Sequence, residues 1–249
     1  MLSDPSFYLV SVPAVLLYGI AKGGFGGAIA IMAVPLMALV MPPTQAAAIL
    51  LPILVVMDLL VVKTYWGTFD RRALAILLPG AVVGVILGYV TVDAMSDDYL
   101  RIMIGALALV FGLQFLLQSR QDEHREHNRA AGSFFGALAG FTSFSIHAGG
   151  PPLTVYLVPR GLSPLLFAGT AGIFFAIVNG LKLVPYYLLG QFTADNLLYS
   201  LILVPLAPIG VKIGHALVKL STSSFYYAVV SACLAVIGVK LLWDGFVGS

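Results

Sequence analysis

Lys22, Asp58, His147, Asn179 and Lys182 place polar or charged side chains inside long apolar stretches of this sequence. Each type is suited to handling charge. An ammonium attracts an anion, a carboxylate balances a cation or carries a proton, and an imidazole exchanges protons near neutrality. Asn179 and Lys182 stand three positions apart, which puts them on one helical face. Two glycine-rich runs adjoin the set: Lys22-Gly23-Gly24-Phe25-Gly26-Gly27 and His147-Ala148-Gly149-Gly150-Pro151-Pro152. Glycine lets a ligand approach the backbone closely, and proline withholds a donor. Such breaks expose amides and helix N-termini, a positive environment that suits an anion. The candidate substrate-binding positions are therefore Lys22, Gly23, Gly24, Gly26, Gly27, Ser145, His147, Gly149, Gly150, Asn179 and Lys182. Asp58 and His147 are the candidates for coupling to a proton.

Plainer roles stay open for each. Lys22 can snorkel towards a membrane surface, and Asp58 can form a structural ion pair with Lys22 or Lys182. His147 can be a hydrogen-bonded packing residue. Thr142, Ser143 and Ser145 can bond to carbonyls of their own helix. The glycines can serve close helix packing. Gln45, Tyr186 and Tyr187 are secondary candidates, whereas Tyr65, Trp66 and Trp243 fall near span ends and read as interfacial anchors.

The elements that hold these residues follow from composition. Only 10% of the 249 residues are charged, 60% are hydrophobic, and mean hydropathy is +1.00. A soluble domain carries about 25% charged residues. The chain reads as an all-α polytopic membrane protein, because in lipid every backbone group must be satisfied internally. Its N-terminus lacks a cationic n-region and does not read as a cleaved signal peptide. The single Cys233 excludes an intrachain disulfide.

Apolar segments of spanning length cover 44–63, 73–92, 100–118, 165–189, 196–218 and 225–243. Residues 7–41 and 131–160 differ. Each is apolar but broken at a glycine run, leaving arms of about 15 residues, or about 22 Å of helix against a core of roughly 30 Å. They read as re-entrant or broken-helix hairpins.

The polar stretch 119–130 divides the chain into an N-terminal repeat, 1–118, and a C-terminal repeat, 131–249. Its mixed charge, including His124 and His127, reads as a solvated cytoplasmic linker. Gly26-Gly27 correspond to Gly149-Gly150, Pro43 to Pro164, and Asp58 to Asn179. Pro79, Gly84 and Gly88 map onto Pro205, Gly210 and Gly214 at a constant offset of 126. Lys and Arg near span ends then decide between topologies. With one hairpin and three spans per half, nine lie inside and two outside; four plain spans per half give seven and four. Two inverted repeats are expected, each a hairpin plus three transmembrane helices, with the two tips meeting near the midplane.

No nucleophile motif, paired catalytic carboxylates, zinc spacing or phosphate-binding loop is present, so an enzyme is not expected. Nor is a cofactor, a metal or a nucleic-acid partner. A homodimer is one assembly compatible with the sequence.

Gly-Gly-Phe-Gly-Gly at 23–27, running on to Val34-Pro35, and Ser-Ile-His-Ala-Gly-Gly-Pro-Pro at 145–152 carry a family likeness. Together, in a duplicated chain of this length, they resemble the TauE/SafE (TSUP) sulfite exporter family. The resemblance implies a multi-pass transporter of the bacterial cytoplasmic membrane that exports sulfite or an organosulfonate such as sulfoacetate. Members of the family often carry a third consecutive glycine where this chain has Ala28. The expected function is secondary export of a small sulfur-containing anion, linked to protons, by alternating access. An anion channel, or transport of small carboxylates, is the alternative.

Overall fold

A computed structural model describes residues 4–27, 29–91 and 128–247, with scattered positions between 96 and 113. The expected span 100–118 and most of the linker 119–130 lie outside the described residues. Those described form helices and no strand. In chain order they are α1 (Pro5–Gly24), a 3₁₀ turn (Ile29–Met32), α2 (Ala33–Met37), α3 (Pro43–Tyr65) and α4 (Arg71–Thr91). Then come α5 (Arg129–Ile146), α6 (Gly150–Leu157), a second 3₁₀ turn (Val158–Arg160), α7 (Pro164–Leu188), α8 (Ala194–Leu203), α9 (Leu206–Leu220) and α10 (Ser223–Val247).

Side chains at the helix starts explain several of these boundaries. Asp4 accepts from the Ser6 amide at 2.9 Å, and Asn128 from that of Ala131 at 3.0 Å. Ser163 and Thr193 cap α7 and α8 in the same way, satisfying donors the first turn leaves free.

Among the described residues, four helices are long and apolar enough to cross a membrane, namely α1, α3, α4 and α7. A fifth arises if α8 and α9, bent by 47° around Pro205, form one span. The first broken region departs from the sequence expectation. Its leading arm, α1, has 20 residues rather than about 15, enough for about 30 Å. In both broken regions a long helix is followed by a short returning one, α2 or the eight-residue α6.

Helices at corresponding positions pack in corresponding ways. α1 lies against α9, and α5 lies against α4. A β-carbon on Gly84 of α4 would collide with the Ala137 carbonyl of α5, and one on Gly210 of α9 would meet the Leu16 carbonyl of α1. Gly88 likewise faces Phe144, while Gly214 faces Gly23. Residues 84 and 88 map onto 210 and 214 at the offset of 126; 16 and 23 map onto 137 and 144 at 121. These glycines are required because the helix backbones touch. α3 and α7 pack on each other between the two pairs and bring residues 58 and 179 face to face.

Candidate functional site

Two chain breaks frame the site. α1 ends where the Phe25 amide donates to the Ala21 carbonyl at 2.8 Å, and Gly26 and Gly27 turn the chain with φ of 60° and 79°. Left-handed backbone of this kind favours glycine. α5 ends at His147, whose φ is 55°, with its amide donating to the Ser143 carbonyl at 3.2 Å. The ring of Phe175 lies between the breaks. A β-carbon would stand 3.1 Å from it at Gly27 and 2.8 Å from it at Gly149. One phenyl ring thus separates the two tips.

Beside the tips sits a sealed cluster of polar side chains. Lys22, Asp58, Ser143, His147, Asn179 and Lys182 are each no more than 4% exposed. Lys22 Nζ pairs with Asp58 Oδ1 at 2.5 Å and donates to the Leu54 carbonyl at 3.0 Å. Asn179 Nδ2 donates to Asp58 Oδ2 at 2.8 Å. Lys182 Nζ donates to the Ser143 carbonyl at 2.9 Å and to Ser143 Oγ at 3.1 Å, and lies 2.8 Å from His147 Nδ1. The hydrogen-bond partners of Lys182 are all uncharged.

The network fixes the form of His147. Its Nε2 is 2.9 Å from the Ala47 carbonyl oxygen, which can only accept, so Nε2 carries the hydrogen. Nδ1 is left with its lone pair and accepts from Lys182. A second proton on the ring would point at an ammonium. Tyr186 stacks on the imidazole, with centroids 6.1 Å apart, and Tyr18 donates to the His147 carbonyl at 3.2 Å.

Candidates named from sequence fall into two groups. Lys22, Asp58, Asn179, Lys182 and His147 meet in one cluster, with Gly26, Gly27, Gly149 and Gly150 at the adjoining breaks. Ser145 stands apart. Its hydroxyl donates to the Phe141 carbonyl of its own helix at 3.0 Å, and Ser143 takes the place beside Lys182. Gly23 and Gly24 belong to the last turn of α1, where their α-carbons press on the α9 backbone. Of the secondary candidates, Gln45 donates to Asn196 at 3.1 Å, Tyr186 adjoins His147, and Tyr187 is exposed.

Tyr65 is not an interfacial anchor. It is buried, donates to the Gly23 carbonyl at 2.5 Å, and meets His215 Nδ1 at 3.0 Å. Its counterpart at the offset of 121, Tyr186, donates to the Phe144 carbonyl at 2.8 Å, and Gly23 and Phe144 share that offset. This repeat was available to find Tyr65; His215 had no such signal. Among the described residues no group of three His, Cys, Asp or Glu side chains could hold a metal ion.

The family model for the sulfite exporter TauE/SafE matches residues 11–241. The chain belongs to the TauE/SafE family. It is accordingly a multi-pass membrane protein of transporter type, and the sealed polar cluster lies within the matched region of this TauE/SafE protein. Searches among curated proteins and among solved structures returned no match.

Proposed function

We propose that this TauE/SafE protein is a secondary exporter of a small sulfur-containing anion, sulfite or an organosulfonate such as sulfoacetate, in a bacterial cytoplasmic membrane. The observation that carries the reading is Lys182: an ammonium at 0% exposure whose hydrogen-bond partners are all neutral. Burying a charge in a spanning helix is costly without a pairing or functional reason. Two lysines and one carboxylate leave an excess of positive charge that a single anion would balance. The equivalent packing of corresponding helices supports two inverted repeats rocking around this centre.

In the proposed cycle, the anion takes the place of Ser143 and His147 at the Lys182 ammonium. Gly26, Gly27, Gly149 and Gly150 line the two tips that part to admit it. Once Nδ1 of His147 no longer faces a bare ammonium, it is free to take a proton, which links the anion to a proton. Asp58 holds Lys22 in place, and Asn179 holds Asp58.

The test is thermal stabilisation of the purified protein by sulfite, thiosulfate, sulfoacetate, taurine and short carboxylates. A ligand at a hundred times its Kd stabilises by about 2.7 kcal/mol, or about 5–11 °C for a chain of this size. The expected ligand is a sulfur oxyanion, and Lys182→Gln should abolish the shift. Equal stabilisation of the variant would remove Lys182 from the site; a response to carboxylates alone would replace the substrate. Saturable counterflow in vesicles is expected, and large single-channel currents would make the protein a channel.

A further inference from the structure

A second cationic site stands away from the sealed cluster. Contacts between α4 and α5 rise together along both chains, from Gly80 against Ser133 to Gly88 against Phe144, so the two helices run parallel and start at the same end. Between those starts lies a pocket of about 270 Å³ lined by Arg72, Ala75, Ile76, Pro79, Arg129 and Ser133. The amide ends of the helices are already capped, since Asp70 accepts from Arg72 and Ala73 and Asn128 accepts from Ala131. The arginine side chains are not. Neither the Arg72 nor the Arg129 guanidinium has a hydrogen-bond or ion-pair partner among the described residues, whereas Arg71 lies 5.9 Å from the Phe69 ring.

The pocket continues into an apolar track. Ala75, Pro79, Val83, Ile86 and Val90 follow each other at helical spacing along one face of α4, and Val83, Ile86 and Val90 are 52%, 55% and 72% exposed. One end is doubly cationic and forked; the other is an open aliphatic stripe on a helix long enough to cross the bilayer. Guanidinium matches phosphate oxygens in a bidentate way, and basic pockets between transmembrane helices suit anionic head groups.

We propose that this groove binds an anionic phospholipid, with its phosphate between Arg72 and Arg129 and an acyl chain laid along α4. A soluble phosphate would satisfy the arginines but make no contact with the stripe that adjoins them.

The full chain, purified in detergent, is titrated with short-chain phosphatidylglycerol, phosphatidylcholine or glycerol phosphate while its melting temperature is followed. Phosphatidylglycerol should stabilise saturably, and the Arg72→Gln/Arg129→Gln pair should raise its half-maximal concentration about thirty-fold, the worth of two surface charges. Phosphatidylcholine should not distinguish the two proteins. An equal phosphatidylglycerol response in both overturns the site, and stabilisation by glycerol phosphate at matching concentration makes it a soluble-anion site instead. Should the double variant fail to fold, the emission that Val83→Trp adds on the exposed stripe, over that of Trp66 and Trp243 in the native chain, gives a second reading. Bromine-tailed phosphatidylglycerol should quench it more than bromine-tailed phosphatidylcholine does, and equal quenching overturns the proposal. Neither readout depends on transport.

Discussion

Breaking the Lys22–Asp58 pair one residue at a time should destabilise the protein more than removing both. Lys22 and Asp58 are 2% and 4% exposed and lie 2.5 Å apart, so each is the other's main compensation in a dry setting. Removing one partner of a buried pair costs about 3–5 kcal/mol because the other charge is stranded. Lys22→Met leaves the Asp58 charge with only the Asn179 amide, while Asp58→Asn leaves the Lys22 charge with only neutral acceptors, the Leu54 carbonyl among them. Each single variant should therefore melt about 6–20 °C lower. The double variant Lys22→Met/Asp58→Asn strands no charge and should lose only the about 1–3 kcal/mol of one unsatisfied amide, less than the singles add up to. The assay is a double-mutant cycle on thermal unfolding in one detergent. A double variant that falls by the sum of the singles would refute the pairing argument. Counterflow by the double variant then decides what the pair is for. Folding without flux means that it handles charge during transport; folding with full flux reduces it to a brace.

Two further outcomes test the frame and the proton link. Gly84→Ala drives a β-carbon into the Ala137 carbonyl and should cost about 1–3 kcal/mol, whereas Gly180→Ala meets nothing within 4 Å and should gain up to about 1 kcal/mol, both read by melting temperature. His147→Gln keeps a donor for Ala47 and an acceptor for Lys182 but cannot be protonated, so it should fold, bind the anion and carry a flux indifferent to a pH gradient; a persisting pH response would take the proton away from His147.

How much of this was legible in the chain depends on which force decides each feature. Helices showed plainly, because lipid leaves the backbone no other partner. The 121-residue offset aligned Asp58 with Asn179 before any geometry was known, and the two side chains proved to be hydrogen-bonded to each other. Helix phase decided between Ser143 and Ser145. Two positions is about 200° of rotation, so when Ser143 faces Lys182, Ser145 must face away. Tyr65 misled because an aromatic near a span end usually faces the interface, and its hydroxyl instead meets an α9 histidine 150 residues away. The arm lengths failed for another reason. Gly23 and Gly24 look like breakers in isolation, yet they remain helical because α9 needs their missing side chains to approach.

The proposed inverted repeats would also explain why the two halves differ in the chemistry they carry. Positions 58 and 179 face each other across the centre, so two aspartates there would bring two carboxylates within hydrogen-bonding distance, and one would have to give up its charge. Asn179 keeps the hydrogen bond and drops the charge. Positions 22 and 143 are likewise equivalent, and a lysine at 143 would press its ammonium on Lys182, where Ser143 instead accepts from it. Position 61, the counterpart of 182, is a buried valine. Differences at these three pairs of positions therefore leave a neutralised lysine on one side and a lysine with only neutral partners on the other. His147, a non-glycine residue in left-handed backbone, stands on the second side. In the proposed cycle an anion entering this centre would therefore meet unequal tips and gain most at Lys182 and His147.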